Sequence, residues 1–283
     1  MKSKSSNGLN RLPLGTRIVT VICLAWAAIV ALLPLVWLLL SSFKVDPLAR
    51  PGFMLPESIY LEGYISTFRD LNVLQYFGNS MLISIVSVVI SILTISMSAY
   101  VVARMNFRGK GLIDLMLAST LFIPATALTY PVYNLINRLG IYNTRAALIL
   151  IYACSGIAVS FFVIKNYYDN VPKAMEDAAR IDGCSYAQTW WYVIFPIARP
   201  GILTAAVLAF LNNWNEYYWA SLVIIDRAKL PVPALLSTFT TSFTTNYNGL
   251  FSAMVVIILP PIVLYVAFNK FFIEALSGGA VKG

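Results

Sequence analysis

A chain of 283 residues that is 59% hydrophobic and only 11% charged carries too little polar surface for a soluble domain of that length, so it is read as an integral membrane protein. Its net charge of +8 does not point to nucleic acid, because the basic residues are scattered around apolar runs and follow topology better. Histidine is absent, which removes the commonest general base and metal ligand. Cys23, Cys154 and Cys184 lie far apart with no CxxC pair, so no catalytic centre, metal site or disulfide framework is expected.

A helix needs roughly 20 apolar residues to cross the hydrocarbon core. Six segments qualify: Ile18–Phe43, Phe77–Val102, Leu112–Ile136, Ala146–Ile164, Ile202–Ile225 and Leu250–Phe272. The first follows a basic lead of Lys2, Lys4, Arg11 and Arg17. It is too long for a signal-peptide core and lacks a small-residue cleavage site, so it reads as a retained span.

Placing both termini in the cytoplasm puts Arg104, Arg108, Lys110, Lys165, Lys173, Arg180, Arg199, Lys270 and Lys282 inside together with the N-terminal cations. Only Lys44, Arg50, Arg69, Arg138, Arg145, Arg227 and Lys229 then lie outside, which satisfies the positive-inside rule. The outer loop from Lys44 to Tyr76, with Pro47, Pro51 and Pro56, reads as a solvated connector or a contact for an external protein. Asn79 and Ser80 are expected to cap the second span. Pro34, Pro124, Pro131 and the pair Pro260–Pro261 fall inside spans, where they make ordinary kinks or widen a cavity.

Between the fourth and fifth spans lies a polar stretch, residues 168–200, that does not belong in lipid. Asp169 or Asn170 is placed to cap a first helix with Pro172 in its opening turn, and Gly183 ends it in the left-handed conformation. Ser185 and Gln188 have capping-box spacing for a second helix, which Pro196 and Pro200 close. Ala174, Ala178 and Ile181 recur at helical spacing as a small, smooth face bordered by Glu176, Asp177 and Arg180. Such a face suits a groove on another protein. The competing reading is a helix lying on headgroups, which the acids and the lack of bulky apolar residues disfavour.

The run Asp177-Ala178-Ala179, then Gly183, then Val193-Ile194-Phe195-Pro196 resembles the EAA loop of binding-protein-dependent ABC importer permeases. Every spacing of that family's pattern holds, with Asp177 for Glu, Val193 for Ile and Phe195 for Leu. Residues 179–183, ARIDG, look most like the carbohydrate-uptake, MalG-like branch. YFGNSMLIS near the second span, WNEYYW (Trp214–Trp219) in the fifth and the tail SGGAVKG (Ser277–Gly283) extend the resemblance over nearly the whole chain.

The resemblance implies an all-α fold of six transmembrane helices with a two-helix cytoplasmic coupling loop, as in type I importers. It implies a single permease domain over residues 1–283, with a flexible cytoplasmic tail over residues 274–283. It implies a second permease in a heterodimer, two ATPase subunits, and an extracytoplasmic solute-binding protein delivering a sugar. The setting would be the plasma membrane of a bacterium or archaeon. Glu176, Asp177, Ala178, Ala179, Asp182, Gly183 and Pro196 would then couple the chain to the ATPase. No cofactor is expected in this chain. Its only Gly-Lys pair, Gly109-Lys110, is followed by Gly111 and preceded by Arg104 where a P-loop glycine belongs, so ATP and Mg would bind the partner ATPase and the permease itself is no enzyme.

In the fifth span Glu216 is expected about 14 residues in, ~21 Å from the inner end at ~1.5 Å per residue. Asn212, Asn213 and Asn215 flank it, with Trp214, Tyr217, Tyr218 and Trp219 interleaved. Sugars are bound by amides and carboxylates beside flat aromatic faces, so Asn212, Asn215, Glu216, Tyr217 and Trp219 are candidate solute-path residues. The alternative is that the same side chains hold helices together. A glycerol-phosphate-like solute fits the same branch. An ion-coupled secondary transporter would show internal repeats, which are not visible, and a membrane enzyme would need clustered catalytic groups. Neither explains the cytoplasmic loop.

Overall fold

The computed structural model describes residues 13–48, 53–239 and 245–280, with side chains as far as Asn269. Lys2, Lys4, Arg11, Arg50, Pro51 and Lys282, used above for topology and the outer loop, lie outside the described residues. So does the end of the tail, residues 281–283.

The described chain is helical, and it divides into two compact units. Among the described residues, the first unit holds those from 13 to 71 together with Phe239 and residues 245–256. Its main helix, α1 (Leu14–Ser42), carries Pro34 and exposes a nearly continuous apolar surface from Leu14 to Leu39. Only its last residues, Ser41 and Ser42, are buried. A helix this apolar on all sides is built for lipid or for another membrane chain. At its end, α2 (Glu62–Arg69) meets the start of the last helix. Asn248 Nδ2 donates to the Ser42 and Lys44 carbonyls at 3.2 and 2.8 Å, and the Ser42 hydroxyl lies 2.7 Å from Tyr64 OH. Trp37 packs edge-on to Phe251 at 5.2 Å.

The second unit is organised around α3 (Val73–Arg104), an unbroken helix of 32 residues. Its buried face carries Ser80, Ser84, Ser87, Ser91, Ser96 and Ala99. Small side chains let neighbouring backbones approach, as in many membrane helix pairs. Around α3 pack α6 (Arg145–Ala153), α7 (Ile157–Asn170) and α10 (Arg199–Trp214). One apolar cluster joins Ile95, Ala99, Phe161, Ile164, Trp190, Ile194 and Ile202 at one end of α3. Another joins Ile83, Ile136, Leu148, Tyr152, Ala220 and Val223 toward its other end. The remaining elements are α4 (Lys110–Thr120), α5 (Thr129–Arg138), α8 (Lys173–Ile181), α9 (Tyr186–Ile197), α11 (Tyr218–Val223), α12 (Val232–Leu235) and α13 (Tyr247–Ala280), the last shared by both units.

Among the described residues, α1, α3 and α13 are each long and apolar enough to span a bilayer, and three bent helix pairs raise the possible total to six. Three of the expected spans are therefore broken rather than continuous. The third is α4 and α5, bent by 100° around Pro124 and a 3-10 turn at Ala125–Leu128. The fourth is α6 and α7, bent by 48° at Cys154–Gly156. The fifth begins at α10, bent by 81° from α9 at Ala198, and its helix stops at Trp214 rather than running to Ile225.

Proline removes the amide that would continue a ladder, and Gly156, at φ +64°, takes a conformation costly for other residues. The second span starts earlier than expected, at Val73, so Asn79 and Ser80 lie within that helix and do not cap it. At the far end α13 continues through Gly278 and Gly279 to Ala280, where a loose tail was expected.

Candidate functional site

The loop over residues 168–200 is the first candidate site. Helix α8 starts after Pro172, which stands at the N-cap with φ −58° and ψ 131°, and no side chain caps it. Asp169 and Asn170 are not caps. They form the last turn of α7, where Asp169 lies 3.4 Å from Lys165 Nζ and Asn170 Nδ2 donates to the Asn166 carbonyl at 2.7 Å. The capping signal is overridden because α7 stays helical through Asn170.

Gly183 takes φ +86°. The amides of Gly183 and Cys184 then donate to the carbonyls of Arg180 and Ala179 at 3.1 and 2.9 Å, a Schellman end. Ser185 and Gln188 form both halves of the capping box, at 3.4 and 2.8 Å. Helix α9 follows, with a π-helical turn at Trp190–Ile194. Pro196 lies in its last turn, half-buried.

The two faces of α8 differ. Ala174, Met175, Asp177, Ala178, Ile181, Asp182 and Gly183 face outward, with Ile181 85% exposed. Ala179 is buried and Glu176 turns inward. The Glu176 carboxylate lies 3.2 Å from Arg104 Nε at the end of α3, with the two side chains only 14% and 6% exposed. The contact is ionic rather than a hydrogen bond, since neither of these atoms reaches hydrogen-bonding geometry. Arg104 Nη2 also donates to the Val171 carbonyl. Burial pushes the Glu176 carboxyl above its ordinary range, and Arg104 opposes that shift. The loop's other anchor is Trp190, whose Nε1 donates to Tyr168 OH at 3.2 Å. That hydroxyl lies 2.7 Å from Ser96 Oγ on α3.

The second candidate site surrounds Glu216. This residue is not in the body of a helix but in the break between α10 and α11. Its Oε1 accepts from the Trp219 amide at 2.8 Å, and its Oε2 accepts from Tyr152 OH at 2.7 Å and the Ala220 amide at 3.3 Å. The carboxylate thus serves the open amides of α11 and ties them to α6. Asn215 turns back to donate to the Leu211 carbonyl at 2.8 Å, ending α10.

Trp214 is fully buried. It stacks on Phe210 and donates to the Ile257 carbonyl at 3.2 Å. Asn213 is buried with its Nδ2 unpartnered among the described residues. Asn212 is exposed and donates to Ser155 Oγ at 3.4 Å beside a cleft of 220 Å³ lined also by Gly156, Ser160 and Leu208. Trp219, with Cys154, Ser155 and Leu128, lines a second cleft of 230 Å³. Tyr217 is exposed, and so is Tyr218, whose hydroxyl lies 2.8 Å from Thr129 Oγ1.

The three helix breaks, near Leu128, Ser155 and Glu216, therefore converge in space. Sequence reasoning missed Arg104, Tyr152 and Ser155. Arg104 carried only a topological signal, and an isolated tyrosine or serine in an apolar run carries none.

Comparison with known proteins agrees with this architecture. The profile of the family described as "binding-protein-dependent transport system inner membrane component" matches residues 91–277. The chain is 35% identical to the arabinooligosaccharides transport system permease protein AraQ of Halalkalibacterium halodurans, over 92% of this chain and 94% of that one. It is 31% identical to the trehalose transport system permease protein SugB of Mycobacterium tuberculosis, over 89% and 93%. Its fold matches a crystal structure of a bacterial ABC transporter involved in the import of alginate. That match has a TM-score of 0.80 and 24% identity, covering 92% of this chain and 99% of the other. A broken-helix membrane core, a capped two-helix loop and these matches place the chain in the family of binding-protein-dependent transport system inner membrane components, as a membrane-embedded permease of an ABC importer.

Proposed function

We propose that this permease forms half of a translocation path for a sugar or oligosaccharide, works beside a second, different permease, and takes its solute from an external binding protein. Two ATPase subunits bind ATP and Mg and dock on residues 168–200, with both termini on the same, cytoplasmic side. The observation that carries the reading is the outward face of α8. Asp177, Ala178, Ile181 and Asp182 project from a helix whose opposite side is anchored, and an 85% exposed isoleucine among acids is a contact awaiting a partner. Asp177 supplies a polar contact, Ala178 permits close approach, and Gly183 shapes the turn. Ala179 and Glu176 support the helix from within, and Pro196 helps end α9. Closure of the ATPase pair would move α8 and rock the spans between two states.

For the solute path, exposed Asn212, Tyr217 and Tyr218 are the better-placed candidates. Glu216 and Asn215 are engaged by their own chain at the helix break, while Trp219 lines the neighbouring 230 Å³ cleft and stays a candidate beside Asn212, Tyr217 and Tyr218. A carbohydrate is supported by the relatives named for arabinooligosaccharide and trehalose transport, together with amide and aromatic side chains at the converging breaks.

The test is gentle extraction of the tagged chain from native membranes, alongside a variant carrying Asp177→Lys and Ala178→Trp. An ATPase and a second permease should accompany the wild type, with the ATPase depleted from the variant. Wild-type chain recovered alone, still moving solute without ATP, would sink the proposal.

A further inference from the structure

Helix α3 is joined to the chain at both its ends by buried or half-buried polar contacts that span composition and spacing do not predict. At its C-terminal end Arg104 holds α8 through Glu176 at 3.2 Å and the α7–α8 junction through the Val171 carbonyl. About two turns earlier, Ser96 meets Tyr168 OH at 2.7 Å, and the same hydroxyl accepts from Trp190 of α9. Both helices of the loop are therefore tied to one helix.

At the N-terminal end Asn79 Nδ2 donates to the Ala228 and Leu230 carbonyls, both at 2.9 Å, and Ser80 Oγ accepts from the Val232 amide at 2.7 Å. Gln75 and Arg145 add donors to the same Ala228 carbonyl at 3.2 and 3.3 Å. The segment so held, Arg227–Val232, is the connection after the fifth span, and Asn143 fixes its start by accepting from the Ile225 and Asp226 amides at 2.9 Å. Between Asn79 and Arg104 α3 runs 25 residues without proline, glycine or a break, about 37 Å at ~1.5 Å per residue. The third, fourth and fifth spans are all interrupted.

We propose that α3 is a rigid strut of the transport cycle, and that Arg104 and Glu176 are positioning residues clamping the ATPase-docking loop to it. Displacement of the loop is carried along α3 to the Arg227–Val232 segment on the opposite face of the membrane. The interrupted spans bend while α3 transmits. A continuous helix with backbone bonds satisfied throughout resists bending, whereas helices stopped by proline or left-handed glycine have ready hinges. The clamp suits the task because the ion pair holds α8 close to Arg104 while the hydrogen bond from the same guanidinium to the Val171 carbonyl sets the direction of approach. This inference rests on the proposed docking of the ATPase at α8.

The experiment uses the complete transporter, permeases with ATPase and binding protein, in proteoliposomes, and reads solute moved per ATP hydrolysed. Arg104→Gln and, separately, Asn79→Ala are expected to lower that ratio about tenfold with ATPase subunits still bound at wild-type stoichiometry. Arg104→Gln combined with Glu176→Gln should fall no further than Arg104→Gln alone, because the two act as one contact.

A second measurement, amide hydrogen exchange in α8, should show faster exchange in Arg104→Gln. Transport and hydrolysis falling together at a constant ratio would overturn the proposal, as would exchange in α8 unchanged from wild type. A fall with Arg104→Gln but none with Asn79→Ala would overturn transmission to the far end, and loss of the ATPase from Arg104→Gln would reduce the pair to holding the loop's fold. Failure of the docking reading is seen separately, as ATPase retained by the variant carrying Asp177→Lys and Ala178→Trp.

Discussion

Two of the polar regions that interrupt this apolar chain use their carboxylates in opposite ways. In the loop, Glu176 is drawn inward to Arg104 while Asp177 and Asp182, one and six positions later, are left facing outward. Around the α10–α11 break the only carboxylate, Glu216, is engaged on both oxygens by Tyr152 and two amides. A charge left open at the surface is available to a partner. A charge engaged by three donors of its own chain is part of the scaffold, and those hydrogen bonds offset part of the cost of drawing it away from water. The resemblance in sequence between the two regions, acids beside small or aromatic residues, hides a difference in role.

The sharpest test of that contrast is the double change Asp177→Lys with Ala178→Trp. It should take ATP-driven uptake to background while the amount of chain in the membrane stays at the wild-type level. If uptake survives, the outward face of α8 is not where the partner sits.

Glu216→Ala should act on the fold first. It strands two helix-opening amides and a tyrosine hydroxyl and should cost about 3 kcal/mol, seen as a lower midpoint of thermal aggregation in detergent. Tyr152→Phe, which removes only one donor to the same carboxylate, should cost about 1.5 kcal/mol. An altered solute affinity in Tyr152→Phe or Glu216→Gln at unchanged stability would reverse the assignment and put Glu216 in the path.

Within the loop, Ser185→Ala removes half of the capping box and should cost about 1 kcal/mol, read as faster exchange of the Tyr186–Gln188 amides.

The smallest effect is pH dependence. Burial raises the folded Glu176 carboxyl above its ordinary value of 4.5, with Arg104, Lys173 and Arg180 opposing the shift and Asp177 reinforcing it. The folded loop therefore binds this proton more tightly than the unfolded one. Its contribution to stability is complete below the mid-4s and is lost as pH rises through the folded value. Loop stability should fall slightly from mildly acidic to neutral pH, and Glu176→Gln should flatten the slope. An opposite slope in the wild type would show that the Arg104 attraction outweighs burial.

Much of the loop was legible beforehand because its signals are local. A glycine at the left-handed position and a Ser-x-x-Gln box act through hydrogen bonds within a few residues, and Gly183, Ser185 and Gln188 behave as their spacing predicts. Legibility ended where a neighbouring element competed, as when α7 absorbed Asp169 and Asn170, or when Asn79 and Ser80 turned out to grip a segment about 150 positions away. Nor does hydropathy register the breaks, since a bent apolar segment and a straight one have the same composition. Gly201 shows how little a sequence discloses of close packing: any Cβ there would overlap the Tyr167 ring, so α10 and α7 approach each other through a missing side chain.

By itself the sequence determined that this chain lives in a membrane, how many apolar segments it has, and where a polar two-helix loop with its glycine end and its capping box must lie. Those properties follow from composition and from contacts a few residues apart. The tertiary structure alone decided which acid of the loop faces outward, that Glu216 supports a broken helix, and that α3 ties the loop to the segment beyond the fifth span. Each of these depends on residues far apart in the chain meeting in space, and no local pattern encodes such a meeting.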